Sequence, residues 1–314
     1  MNESLLRGGV WSAAPTPFTA DFGIDRASVK RMVSHHLAQG VVGIMLAGTT
    51  GEGPWLGADQ FERLTRAVVE DAAGRCCVAL QVTDNSPQRV LDHIAKAQTW
   101  GVDLAVVAPP FLMMNATSQR LLRHYRETVR QSPLPIGFYD RGANSPYALS
   151  ESHLGELLTE PNLRIVKDSS ANRAFRPVYL RARTSRPGLI LLNGDEFNCV
   201  EYLDAGYDGL LLGGGVFNAR LAGRIVAAMQ RGHRAEAERC QARMTNLMYR
   251  VYGGPKIECW LTGLKELLVQ MGVFSTTANL LDYPLTDVCR REIADAVSGA
   301  DGMEFQADLT PGPV

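Results

Sequence analysis

Leu163-Arg164-Ile165-Val166-Lys167-Asp168 puts a lysine at the end of a run that otherwise favours a buried strand. Ile165 and Val166 are adjacent, apolar and β-branched, with no alternation separating an inner from an outer face. That is the pattern of a strand covered on both sides, which has no natural place for an ammonium group. A lysine forced into such surroundings loses hydration, its charged form is disfavoured, and the neutral amine becomes a nucleophile towards a carbonyl. The simpler alternative is that Lys167 marks where the strand meets solvent. These six residues leave both open.

Outward from this stretch, similar runs recur along the chain. Eight are found: Val10 to Ala14, Val42 to Ala47, Cys76 to Val82, Leu104 to Ala108, Pro135 to Tyr139, Leu163 to Lys167, Leu189 to Asn193 and Gly209 to Gly213. Between them lie segments whose apolar residues recur at three and four, as in Val29, Met32, Val33 and Leu37 behind a capping Asp25. Phe61, Leu64, Val68 and Ala72 form a second stripe, with Glu62 and Arg66 paired outside it, and Ser86-Pro87 opens a third helix. Later helices are expected over residues 119–130, 151–158, 173–182, 197–205 and 219–231. Strict alternation of eight strands and eight helices predicts a (β/α)₈ TIM barrel over residues 1–231, with an open doubly wound sheet as the alternative. Past Arg231 the strand signal stops. Three more helical segments, 234–252, 256–271 and 286–297, predict a C-terminal helical appendage over 232–301, and residues 302–314 read as a frayed tail.

Composition narrows the function classes. The chain has 314 residues, 46% hydrophobic and 21% charged, with a formal net charge of -1, so it has material for a large core and no electrostatic footprint for nucleic acid or an anionic membrane. Met1 to Val10 lacks the apolar core of a signal peptide and no segment is long enough to span a bilayer, which predicts a soluble cytoplasmic protein. The six cysteines form no C-x-x-C pair; adjacent Cys76 and Cys77 are expected as buried thiols on opposite faces of a strand, and no metal site is expected.

In such a barrel the active site lies at the carboxyl ends of the strands. Strand 2 there ends in Gly48-Thr49-Thr50-Gly51-Glu52-Gly53, which reads either as a holder for a small carboxylate or as an ordinary tight turn. Strand 5 ends in Tyr139-Asp140-Arg141 and strand 6 in Lys167-Asp168-Ser169-Ser170. By alternation Gly137 and Tyr139 share a face, as do Leu163, Ile165 and Lys167. If both faces point inward, phenol and amine sit side by side; the plainer alternative is that Tyr139 is a barrel-lining aromatic whose hydroxyl is satisfied by a neighbour. Strand 7 contributes Asn193-Gly194-Asp195-Glu196, and strand 8 Gly213-Gly214-Gly215, which reads as a flexible turn, a close approach to a ligand or a phosphate site.

The ordered set Gly48-Thr49-Thr50-Gly51-Glu52, Tyr139, Lys167 and Asn193-Gly194-Asp195-Glu196, with Pro15-Thr16-Pro17-Phe18 and Gly254-Pro255-Lys256, resembles the dihydrodipicolinate synthase and N-acetylneuraminate lyase family over nearly the whole chain. The resemblance implies a class I aldolase or dehydratase acting on pyruvate-like 2-oxo acids. Lys167 would form the imine, Tyr139 would shuttle protons, and Thr49 and Thr50 would hold the carboxylate. No metal or organic cofactor is then required, because the imine is the electron sink. It also implies a homodimer or homotetramer, with Phe111 near the boundary.

Two departures bear on the substrate. Where dihydrodipicolinate synthases carry a Tyr-Tyr pair, this chain has Pro109-Pro110-Phe111-Leu112, and where they place a carboxylate-gripping arginine it has Asn144. Asp140, Arg141, Asn144, Ser169 and Glu196 instead supply hydroxyl-reading groups, and Gly48, Gly194 and Leu211 complete the expected binding set. This favours a lyase acting on a 2-keto-3-deoxy sugar acid and releasing pyruvate, with an aldehyde or sugar-acid partner. A true dihydrodipicolinate synthase, a dehydratase and a catalytically idle 2-oxo-acid sensor are the alternatives.

Overall fold

A computed structural model of the protein describes residues 5–299 and Gly302. Eight parallel strands close in sequence order: β1 (Gly9–Ala13), β2 (Gly43–Leu46), β3 (Cys77–Gln81), β4 (Leu104–Val107), β5 (Ile136–Asp140), β6 (Leu163–Asp168), β7 (Ile190–Asn193) and β8 (Gly209–Leu212). Val10 pairs with Leu210 across the closing seam, so the sheet has no free edge and the open doubly wound alternative falls. Each strand overlaps one of the apolar runs, with β1, β5 and β6 reaching one residue beyond theirs. Helices follow in turn: α1 (Arg26–Ala38), α2 (Ala58–Ala72), α3 (Pro87–Thr99), α4 (Ser118–Gln131), α5 (Glu151–Leu157), α6 (Arg176–Ser185), α7 (Cys199–Asp204) and α8 (Gly215–Gln230). The fold is a TIM barrel.

Local chemistry sets the helix starts. The Asp25 carboxylate accepts the backbone N–H groups of Ala27 and Ser28, and the Ser86 hydroxyl accepts that of Arg89 ahead of Pro87. Each cap satisfies donors that the first turn leaves free, worth about 1 kcal/mol. Helix α8 begins at Gly215, four residues before the expected Ala219, because the glycine stretch runs directly into it. Three more helices extend the barrel: α9 (Arg234–Tyr252), α10 (Trp260–Gln270) and α11 (Asp287–Ser298). Helix α9 packs on α8, and α10 and α11 pack on α9. Helix α10 starts later than the expected Lys256, since Gly253 ends α9 in the left-handed region at φ 79° and turns fill the interval. The expected tail, 302–314, lies outside the described residues apart from Gly302. Among the described residues no helix is long and apolar enough to cross a membrane.

Period-two alternation separates two apolar layers. Trp11, Met45, Ala79, Val106, Ile165 and Leu192 fill the barrel interior, while the other strand faces pack under the helices. Cys76 belongs to the outer layer and Cys77 to the inner one, and all six cysteines are free thiols. Leu163 departs from the expected inward set. Ile136 pairs with Leu163 but Gly137 pairs with Ile165, so Arg164 is an extra residue at a bulge and Leu163 turns outward. An unpaired residue reverses the side-chain phase of everything before it.

Two buried histidines of α1 make stability depend on pH. His35 Nε2 donates to the Val216 carbonyl (2.7 Å), and His36 Nδ1 donates to the Met32 carbonyl while its Nε2 accepts from the Ser12 hydroxyl (both 2.9 Å). Burial holds His35 down to about 4; burial, then the neighbouring His35, holds His36 down to about 3. Both therefore bind protons more readily once unfolded. Their stabilising contribution is complete above the ordinary value of 6.5 and is lost as pH falls towards these lowered values. The full loss is about 3 kcal/mol for His35 and about 5 kcal/mol for His36. Urea midpoints should fall already between pH 6.5 and about pH 5, before most carboxylates titrate. A flat profile there would mean the rings are not held neutral.

Candidate active site

Tyr139 and Lys167 meet at the carboxyl ends of β5 and β6. They are register partners on neighbouring strands, and the Lys167 Nζ lies 4.2 Å from the centroid of the Tyr139 ring. Both are buried, at 6% and 7% exposure for Lys167 and Tyr139. Tyr139 and Ile165 belong to the inner layer while Phe138 and Val166 belong to the outer one, which turns the phenol and, by alternation, the amine towards the barrel axis. Lys167 is therefore not a solvent-facing strand end.

Hydroxyls surround the phenol. Burial raises its pKa, but the charges of Lys167 and Arg141 and hydrogen bonds from the Thr49 and Ser169 side chains outweigh burial and hold Tyr139 below its ordinary value of 10. A Cβ on Gly194 would stand 2.0 Å from Ser169 Oγ and 3.1 Å from Lys167 Cε, so this position requires glycine for amine and hydroxyl to lie as they do. Arg141 is half-buried and acts on the same phenol. Asn144 lies exposed on the turn Gly142–Asn144, its backbone N–H donated to the Arg141 carbonyl (2.9 Å).

The turn carrying Thr49 and Thr50 is tightly coiled. Glu52 N–H donates to the Thr49 carbonyl and Gly53 N–H to the Gly48 carbonyl (both 3.1 Å), and a Cβ on Gly53 would stand 1.8 Å from the Ala47 carbonyl oxygen. The Thr16 hydroxyl, from the loop after β1, donates to the Gly51 carbonyl (2.6 Å). Glu52 itself points away from the site into a fully buried ion pair with Lys265 of α10, Nζ to Oε1 2.6 Å. Burial pushes Lys265 down to about 8 and Glu52 up, so each charge is kept by its partner. Sequence reasoning missed Lys265. Its signal was a charge on the apolar stripe Leu261, Leu264 and Leu268.

The remaining expected residues divide. Glu196 Oε2 accepts the Gly214 N–H (2.7 Å) and its Oε1 accepts the Tyr252 hydroxyl of α9 (3.1 Å). Burial raises its pKa against these bonds and the Lys167 charge. Gly213 sits between this carboxylate and Thr50, since a Cβ there would lie 3.2 Å from Thr50 Oγ1 and 3.7 Å from Glu196 Oε1. Because the Gly214 N–H is taken by the protein's own carboxylate, the phosphate site at Gly213 to Gly215 loses its donor and gains a repelling charge. Asn193 shapes its own turn, accepting from Asp195 N–H (2.7 Å). Asp140 faces outward, accepting from the Tyr179 hydroxyl (2.5 Å) and Gly142 N–H (2.8 Å), and is not in the phenol's ring of neighbours. Leu211 lies in the inner apolar layer. Among the described residues no group of His, Cys, Asp and Glu could hold a metal ion.

A sequence model of the dihydrodipicolinate synthetase family matches residues 6–298. The chain belongs to that family. It is accordingly an enzyme of the lyase class, related to the class I aldolases. It is 27% identical over 290 residues to a 4-hydroxy-tetrahydrodipicolinate synthase of Nitrobacter hamburgensis, covering 92% of this chain and 95% of that one. In fold it is similar to YagE, a prophage protein of E. coli K12 from this family solved in complex with pyruvate (TM-score 0.83, 20% identity, 95% and 99% covered). It is also similar to CdNal from Clostridium difficile, solved in complex with mannosamine (TM-score 0.83, 18% identity, 92% and 97% covered).

Proposed function

We propose that this family member cleaves a 2-keto-3-deoxy sugar acid to pyruvate and an aldehyde through an imine on Lys167. The observation that carries this reading is the inward Lys167 ammonium over the Tyr139 ring at the mouth of the barrel. Once the ammonium has given its proton to solvent, the amine attacks C2 of the 2-oxo acid, and the carbinolamine loses water after its hydroxyl takes a proton from the phenol. The resulting iminium draws the electrons of the C3–C4 bond as it breaks, and the phenolate takes the proton of the C4 hydroxyl, releasing an aldehyde. The enamine is then protonated at C3 and hydrolysed to pyruvate and free lysine. Thr49 and Thr50 receive the carboxylate, with Gly48 and Gly194 giving backbone access, and Arg141, Asn144, Ser169 and Glu196 face the sugar hydroxyls. A dehydratase would use the same imine to expel a hydroxyl.

Incubation with pyruvate and borohydride, followed by mass mapping, should place one reduced adduct on Lys167. An unmodified protein at saturating pyruvate would leave only a sensor that binds without chemistry. A screen of 2-keto-3-deoxy acids for pyruvate release then identifies the partner. The name of the Nitrobacter relative favours a second reading, 4-hydroxy-tetrahydrodipicolinate synthesis. Appreciable turnover with aspartate semialdehyde would support it over the first, against the lack of a hydroxyl at Phe111 and of a charge at Asn144.

A further inference from the structure

We infer that Lys265, on a helix outside the barrel, is a positioning residue for the Thr49–Thr50 turn and acts on it through Glu52. The inference rests on the reading that this turn receives the substrate carboxylate. The Lys265 ammonium is fully buried and entirely committed: it donates to Glu52 Oε1 (2.6 Å) and to the Ala278 carbonyl (2.7 Å), and it lies 4.6 Å from the Phe18 ring centroid. Glu52 is likewise used at both oxygens, its Oε2 accepting Leu280 N–H (2.5 Å). One ion pair thereby joins the turn after β2, the loop after β1, helix α10 and the 278–280 stretch. The Thr276 hydroxyl adds a bond to the Phe18 carbonyl (2.7 Å) and Thr16 ties the same loop to Gly51 (2.6 Å).

The lever is short. Glu52 stands in the left-handed region at φ 57° and its N–H holds the Thr49 carbonyl, so displacing its side chain moves the peptide that carries the two threonines. Stability alone is a poor reason for such a pair. Desolvating two charges offsets most of their attraction, and an uncharged pair of similar volume is often as stable. What the charges add is a unique geometry, and the structure spends that geometry two residues from the proposed carboxylate pocket.

The test compares wild type, the double variant Glu52→Gln/Lys265→Met, and Glu52→Asp, which keeps both charges but shortens the reach by one methylene. Borohydride trapping is followed across a pyruvate titration, with circular dichroism to establish folding. The expected result is a half-saturating pyruvate concentration raised at least tenfold in the double variant and raised less in Glu52→Asp, with one adduct per chain still reached at saturation. A merely structural pair would lower the melting temperature without moving half-saturation. Should the double variant fail to fold, Glu52→Asp alone decides. Wild-type half-saturation in the folded variants would overturn this inference and leave the lysine chemistry standing. A wild type that forms no adduct would overturn the site reading and take this inference with it.

Discussion

The Lys167→Ala protein is expected to gain no mass from pyruvate and borohydride and to retain no turnover above background. Among the described residues no neighbouring amine can substitute: Lys265 is fully buried and committed to Glu52 and Ala278, and Arg141 carries a delocalised guanidinium, which is not a nucleophile. The loss should be a loss of chemistry rather than of fold, because the side chain lies at the open end of the barrel and the interior packing of Trp11, Ile165 and Leu192 does not depend on it. A second readout does not require a substrate. After burial, the Lys167 charge is the largest influence on the Tyr139 phenol and it acts to lower its pKa, so its removal should move that phenol's ultraviolet titration to higher pH. An adduct in Lys167→Ala, on any residue, would remove this lysine from the mechanism.

Much of that pairing is legible in the sequence alone. Eight apolar runs of strand length, alternating with helix-period segments, leave few arrangements other than a closed barrel, and two-residue alternation puts Tyr139 and Lys167 on one face each. What stayed hidden has a common cause. The bulge at Arg164 leaves no trace in composition, since an extra polar residue in a strand looks like any other, yet it turns Leu163 to the opposite layer. The bonds from Thr16 to Gly51, from Tyr252 to Glu196 and from Lys265 to Glu52 join residues 35, 56 and 213 positions apart, and no local period reports such separations. Asp140 shows the converse. Standing next to Tyr139, it reads as part of the site, but the same alternation that turns the phenol inward turns the carboxylate out to Tyr179. Periodicity thus brought Tyr139 and Lys167 to one place, while the groups that hold them there are long-range contacts made by packing.

Tyr139→Phe is expected to slow turnover by roughly a hundred-fold or more, the usual scale for a lost acid–base group, with little change in KM. The substitution removes only the hydroxyl. The ring stays beneath the ammonium, where the 4.2 Å contact owes its attraction to the π face rather than to the oxygen, so Lys167 keeps its orientation. Thr49 and Ser169 lose a shared partner but remain able to bond to water or to substrate. Two proton transfers then lose their carrier: the one that makes the carbinolamine hydroxyl a leaving group, and the one that accepts the C4 hydroxyl proton as the C3–C4 bond breaks. Only the first is needed for trapping. Adduct should therefore still accumulate in Tyr139→Phe, more slowly than in wild type, while pyruvate release from a keto-deoxy acid is impaired at both steps. Trapping and turnover slowed by the same factor would confine the phenol to imine formation. Full activity would give the proton shuttle to another group, with the Thr49 and Ser169 hydroxyls, which both bond to the phenol, placed to take it.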